Sequence, residues 1–374
     1  MHRITDSFHT TSGIPAIFSL KRALLISCLA IPSASAFEIE LDYGYDSSSD
    51  NFFGTNAAAK SALEQAASDI SSLISTRLAP VTNPFVGSNG GTTSTFDWDY
   101  VFRNPSELND PSNPDANKIT ISSPSLAADT VKIFVGVREL GGSTLGQGST
   151  AGVALSISGG GFPSQYEDAV AAAEAASNAS MGRGDGPVIR NISGSTTLGS
   201  TTANYSLNVG VGVGSLWFDV DGDNDSVKDS PEELDDFWHF DHTTDVASGK
   251  RDFYSVALHE ILHVIGVGTS DTWDSQISGT TWTGPNAQLA NGGGDGLIDS
   301  AGGHIADNTN SVRLSDNGIQ EVVMSPSLTT GTRKTLTELD VAFLQDLGYE
   351  IVPEPSSAGM LSLSAILLLL YRRT

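Results

Sequence analysis

The chain has 374 residues, 39% of them hydrophobic and 17% charged, with 44 acidic side chains against 19 basic ones and a formal charge of −25. That length and composition suit one large globular domain or two small ones. So acidic a surface repels phosphate backbones, which argues against nucleic acid as a partner, and it attracts divalent cations instead. At the amino end, Lys21-Arg22 precede an apolar run from Ala23 to Ile31, and Ala34-Ser35-Ala36 supplies a small-residue cleavage site. Residues 1–36 therefore read as a secretory signal with a long polar front, and the mature chain begins near Phe37. Cys28, the only cysteine, lies inside the apolar run. The preceding Leu25-Ile26-Ser27 offers a lipoprotein signal as the alternative, which the short stretch before it disfavours. After cleavage no thiol remains, so neither a disulfide framework nor a cysteine ligand or nucleophile is available.

Along the mature chain the pattern is mixed. The alternation in 37–43 predicts a strand, and 56–76, with Leu63, Ile70, Leu73 and Ile74 on one face, predicts a helix beginning near Asn56. Further strands are expected at 118–122, 130–137 and 203–220, and a helix at 164–179. The Gly/Ser/Thr-rich stretches 86–95 and 140–161 read as connectors. With no internal repeat and no clear linker, the simplest partition is one α+β domain over 37–351, with long surface loops.

Chemistry concentrates in 253–273, FYSVALHEILHVIGVGTSDTW. Phe253, Val256, Ala257, Ile261, Leu262 and Val264 surround a short helix. His259 and His263, one turn apart, share a face, so their imidazoles can grip one ion. Zinc suits neutral imidazole nitrogens, and a catalytic zinc needs three protein ligands and an open position. Glu260, beside a ligand but not one itself, is placed to take a proton from water and pass it to a leaving amine. The bland alternative is a core helix whose histidines only satisfy hydrogen bonds. Gly266 can adopt the positive φ that ends the helix and turns the chain back.

His259-Glu260-x-x-His263-x-x-Gly266 resembles the first eight positions of the metzincin signature. The usual third histidine position is occupied here by Thr269. Downstream of His263 the only histidine is His304, and no glutamate lies between Glu260 and Glu321. The arrangement is similar to the leishmanolysin-like branch of metzincins, in which an insertion separates the glycine from a distant third histidine. Asp271 stays open as the rival ligand, since some zinc peptidases use an aspartate after a Gly-Thr pair. Val322-Val323-Met324-Ser325-Pro326 resembles the methionine turn of that family, although Met324 alone would read as core filling. The segment 336–349 resembles its closing helix, with Thr335 and Glu338 as a capping box and Gly348 at its end. The resemblance covers about 251–351, with 37–250 as the N-terminal part of the catalytic domain. It implies a twisted mixed sheet with an active-site helix, a loop-rich C-terminal subdomain and a cleft between the two. Its activity would be hydrolysis of protein or peptide substrates, with zinc held by His259, His263 and His304.

A second cluster alternates through Gly222: Asp219, Asp221, Asp223, Asp225 and Asp229. Hard oxygen ligands at that spacing suit calcium, but Ser230 stands where an EF-hand carries its bidentate glutamate, and a solvated acidic loop explains the run equally. His239 and His242 read as loop or core histidines rather than a further metal site.

At the carboxyl end, Val352-Pro353-Glu354-Pro355 leads into the apolar run 358–371 and Arg372-Arg373. This three-part tail, 352–374, resembles the PEP-CTERM sorting signal of bacterial exosortase substrates; an ordinary single-span anchor is the alternative. The expectation is an exported protein of the cell envelope or extracellular matrix that meets exosortase-type machinery and touches the membrane only through its tail. Without the ends, 37–351 holds 14 basic and 42 acidic side chains, a balance of −28. The function read from these residues is a zinc metalloendopeptidase, and the alternative is a non-catalytic envelope or matrix binding protein that keeps the fold. The intact Glu260 favours the enzyme.

Overall fold

Alternating burial and uninterrupted burial assign the strands to two sheets. Twelve residues, Thr92–Arg103, alternate inward and outward, with Phe96, Trp98, Tyr100 and Phe102 inside. Such a period of two marks a strand with one wet face. By contrast Val213–Asp219 is buried at every position, as expected for a strand covered on both faces. The computed structural model describes residues 37–352 apart from 49, 108–112 and 114–115. The signal expected over 1–36, and the sorting tail beyond Val352, lie outside the described residues.

The first sheet contains β1 (Glu38–Asp42), β5 (Thr130–Arg138), β10 (Val213–Asp219) and β6 (Gly146–Thr150), in the order β1-β5-β10-β6. The first three run parallel, and β6 closes the sheet as an antiparallel edge, with Gln147 opposite Trp217. The second sheet is built on β3 (Thr92–Arg103), to which β2 (Phe85–Asn89), β4 (Lys118–Ser122) and β7 (Gly152–Gly160) all pair antiparallel. A long hairpin, β8 (Val188–Leu198) and β9 (Thr201–Gly210), stands beside it. Helix α2 (Tyr166–Met181) packs on β2, β3 and β9 and shares their apolar core.

Helix α1 (Ala57–Leu73) begins where Asn56 accepts a hydrogen bond from the Ala59 N–H at 2.9 Å, and it buries Ala59, Ala62, Leu63, Ala66 and Ile70 along one stripe. That stripe packs on α3 (Phe253–Val264), which is buried on nearly every side. Asp252 caps α3 at the Ser255 N–H, 3.1 Å away, and is itself held by Arg333 at 2.7 Å. Beyond α3, the chain winds through short elements to the closing helix α4 (Glu338–Asp346). The described residues belong to one compact unit of mixed α and β structure, and none of their helices is long and apolar enough to cross a membrane.

Three expectations are corrected. The stretches 86–95 and 140–161 are mostly strand, because Gly, Ser and Thr there pair across β2, β3, β6 and β7 rather than loop out. The run 203–220 is two strands in different sheets, broken after Gly210. The cap of α4 is Thr337 with Asp340, two residues later than Thr335 with Glu338, since the chain enters the helix at Thr337.

The glycines of β6 set how closely this edge lies on α3. A Cβ at Gly148 would fall on the Glu260 carbonyl oxygen, whereas one at Gly152 would meet only the Val101 carbonyl at 3.4 Å. Gly148→Ala is therefore expected to destabilise the protein by about 1–3 kcal/mol through overpacking, and Gly152→Ala to stay within a few tenths of the parent, both read from urea unfolding midpoints.

Candidate metal centre

Helix periodicity brings His259 and His263 together, and the turn that follows makes room for the distant loop that carries the third imidazole, His304. α3 ends in a paired closure: the Gly266 N–H bonds the His263 carbonyl at 3.1 Å and the Val267 N–H bonds Leu262 at 3.0 Å. Gly266 sits at φ 109°, the left-handed region that a side chain resists. The reversed chain then returns the Val267 carbonyl to His263, 2.8 Å from Nδ1. Farther on, a Cβ at Gly268 would lie on the Gly303 carbonyl, so only glycine lets the loop carrying His304 come this close.

The three rings face one another, with centroid separations of 4.8 Å (His259–His263), 4.9 Å (His263–His304) and 5.1 Å (His259–His304). His259 Nδ1 is 2.9 Å from the Val323 carbonyl. A backbone carbonyl only accepts, so both helix histidines carry their proton on Nδ1 and turn an Nε2 lone pair inward. His304 Nδ1 lies 3.5 Å from an Asp299 carboxylate oxygen. The Nε2 atoms of His263 and His304 are 3.2 Å apart. Two imidazole nitrogens bound tetrahedrally to one zinc at about 2.0–2.1 Å would stand roughly 3.3 Å apart, so the donor set fits that ion. Among the described residues this group is His259, His263 and His304 and does not include Asp271.

Asp271 is engaged elsewhere. It opens a short helix, accepts from the Asn191 N–H at 2.7 Å and pairs with Arg190 at 3.2 Å, facing the β8 hairpin. Thr269 donates its hydroxyl to the His263 carbonyl at 2.6 Å, capping α3.

Burial lowers the pKa of all three histidines, and the charge of neighbouring histidines adds to it for His259 and His263. Desolvation is the first cause in each; His259 is lowered well below 6.5, His263 to about 4, and His304 is lowered against the opposing pull of Asp299. Glu260 is 6% exposed, and burial pushes its carboxyl up to about 8, opposed by the Gly148 backbone. Met324 is buried in a turn whose Val323 and Met324 N–H groups lie 3.3 and 3.5 Å from the Asp340 carboxylate. The Met324 carbonyl accepts from the Ile305 N–H at 3.0 Å, so one turn is joined to both His259 and the loop carrying His304.

In the acidic loop Asp221, Asp223 and Asp225 converge, while Asp219 and Asp229 do not join them. Asp219 accepts from the Leu140 N–H at 2.9 Å and Asp229 from the Gly222 N–H at 2.7 Å. Both Asp221 oxygens accept from the loop's own backbone, at Asp225 and Ser226, each 3.0 Å away, so the loop's shape follows from its own turns. His239 lies 3.3 Å from the Thr244 hydroxyl and His242 stacks on Tyr254; neither belongs to a ligand group among the described residues.

The residues that sequence reading missed are the orienting ones: Val267, Val323, Asp299 and Asp340. Only Gly146 and Gly148, alternating in one strand, carried a legible signal of close approach to α3. No family model matches the chain, and neither the curated proteins nor the solved structures hold a significant match.

Protons compete for a histidine ligand only near and below its pKa, and here every value lies below the ordinary 6.5. Zinc affinity is therefore expected to change little above pH 6.5 and to fall as the pH drops toward 4, where His263 protonates; a tenfold loss already by pH 6.5 would contradict the effect of burial. His304→Ala should lose bound zinc, whereas Asp271→Ala should keep it, as measured by metal content after gel filtration.

Proposed function

We propose that the chain is an exported zinc endopeptidase with a metzincin-like catalytic domain of the leishmanolysin-like kind. The observation that carries this reading is the convergence of three imidazoles, with the Nε2 atoms of His263 and His304 3.2 Å apart and the other ring nitrogens turned toward the Val323 and Val267 carbonyls and the Asp299 carboxylate. A tetrahedral zinc would hold two such nitrogens at close to that separation. His259, His263 and His304 would hold zinc, which when bound polarises a scissile carbonyl and lowers the pKa of water.

Glu260 lies beside this set without joining it. A carboxyl that burial raises to about 8 takes a proton readily, and next to a dication it would ionise at lower pH. It would accept the proton of the attacking water and deliver it to the departing amine. The cleft supports an extended polymer as substrate. It has a volume of about 920 Å³ and is lined by β6, the histidines and Ser325 to Leu328. β6 ends its sheet, so its outer edge is free to bond the main chain of an extended peptide. The secretory signal and the exosortase-type tail complete the proposal, placing the domain in the envelope or matrix with membrane contact only through the tail.

Glu260→Ala separates metal from chemistry. The variant is expected to keep one zinc per chain and to lose about 10²–10⁴-fold in turnover of an unfolded protein, and a chelator should abolish the parent's activity. If Glu260→Ala digests that protein as fast as the parent, the proposed role of Glu260 is wrong.

A further inference from the structure

The cleft is charged against the sign of the molecule. Acidic side chains outnumber basic ones 44 to 19 in the chain, yet the described cleft walls carry Arg103, Lys118, Arg251 and Lys334 against one carboxylate, Glu260. Two of the cations are spoken for: Lys334 pairs with Glu321 at 2.9 Å, and Arg251 lies over the Phe237 ring at 4.1 Å. Arg103 and Lys118 stand opposite each other at one end, across β3 and β4, where Lys118 has interactions of its own. Arg103 has no ion-pair partner among the described residues.

Behind it Arg138, 5% exposed, stacks on Trp217 at 3.9 Å and donates to the Glu107 carbonyl at 2.8 Å and to Gln147 Oε1 at 3.2 Å. It too meets no carboxylate among the described residues. Burial, and then the charge of Arg103, lower its pKa to about 10. Gln147 Oε1 also accepts from the Trp217 indole at 2.6 Å. With its oxygen used twice, the Gln147 side chain has only its amide hydrogens left to offer. Among the described residues that line it, this end of the cleft presents donors and positive charge and no carboxylate. Gln147 lies between Gly146 and Gly148, the two residues against Glu260, so its side chain leaves the strand on the opposite face, yet it lines the same cleft as Glu260.

We propose that this cluster is a subsite for an acidic side chain of the substrate, with Arg103 as its specificity-determining residue and Arg138 and Gln147 holding the wall in place. A carboxylate there would receive charge-assisted hydrogen bonds from Arg103 and Gln147. A lysine would be repelled. The proposal rests on the peptidase reading for its rate measurement, but selection of charge can also be read from binding alone.

The test uses the zinc-loaded full chain and internally quenched peptides in which one residue, moved through four positions on each side of the scissile bond, is Glu, Gln or Lys. C-terminally amidated copies separate a side-chain carboxylate from a chain-end carboxylate. At one position Glu is expected to exceed Lys by on the order of tenfold or more in kcat/KM, with or without the amide. Arg103→Glu should reverse that order, and Arg103→Lys should preserve it. Fluorescence anisotropy of labelled Glu-rich and Lys-rich peptides on the same proteins supplies the second readout. Cleavage with equal rates for Glu and Lys at every position, or a preference unmoved by Arg103→Glu, overturns the subsite and leaves the peptidase reading standing. Preference confined to free C-termini overturns the side-chain assignment. Arg103-dependent binding of the Glu-rich peptide without any cleavage supports the subsite and overturns the peptidase reading; neither binding nor cleavage overturns both.

Discussion

The site depends on two hydrogen bonds that carry no metal chemistry: Val267 O to His263 Nδ1 and Val323 O to His259 Nδ1. A neutral imidazole has one proton, and fixing it on Nδ1 leaves Nε2 as the atom that could bind an ion and decides which way the ring faces. Each carbonyl is placed by something farther out. Val267 reaches back only because Gly266 adopts φ 109°. Val323 is held because Asp340, the third residue of α4, accepts from the backbone of the turn and from Thr337 N–H and Oγ1 at 3.0 and 2.7 Å. A buried carboxylate with that many donors stays in place. The cap of the closing helix is thus the support of a turn, and the turn is the support of a ring.

A close approach serves a second purpose at the edge strand. Gly146 and Gly148 let β6 lie directly against α3, and the same contact strips water from Glu260. Dryness raises the carboxyl and strengthens any field a cation would exert on it. A bulkier strand would stand off the helix, admit water and leave Glu260 an ordinary acid. Packing and acidity are here one property, because the residue that must be small and the residue that must be dry touch.

What was legible in the sequence was local. The spacing of His259 and His263, the Asn56 cap and the inward face of α1 follow from helix geometry and needed no tertiary knowledge. His304 could be singled out as the last histidine of the chain, but its contact with His263 depends on a 41-residue separation closing in space. The missed strands have the opposite cause. Stretches rich in Gly, Ser and Thr lack the apolar alternation that signals a strand, yet β2 and β6 gain order from partners already in their sheets. Backbone carbonyls such as those of Val267 and Val323 are invisible to any residue-type reading, since every residue owns one. Asp340 was hidden for a related reason: an aspartate three residues into a helix reads as a cap, and its bonds to the turn at Val323 exist only in the folded chain.

The long insertion between the helix and His304 raises a question of cost. A third ligand at the Thr269 position would close a loop of 6 residues from His263, and His304 closes one of 41. Chain entropy makes the longer closure worse by only roughly 2 kcal/mol. Burying one large aromatic side chain is worth about 1.5–3 kcal/mol. The insertion buries two, Trp273 and Trp282, whose rings lie 4.6 Å apart and meet Phe343 of α4 at 5.3 and 4.7 Å. Asp346 of α4 secures the same segment by accepting from the Trp282 indole at 2.9 Å and from the Ala287 N–H at 2.9 Å. The Trp273 indole in turn donates to the Gly302 carbonyl at 2.8 Å, two residues from His304. The distant imidazole therefore hangs from a small core of its own, docked on the closing helix that also supports the turn under His259. The supports of His304 and of His259 thus both pass through α4, while His263 is oriented separately by the Gly266 turn.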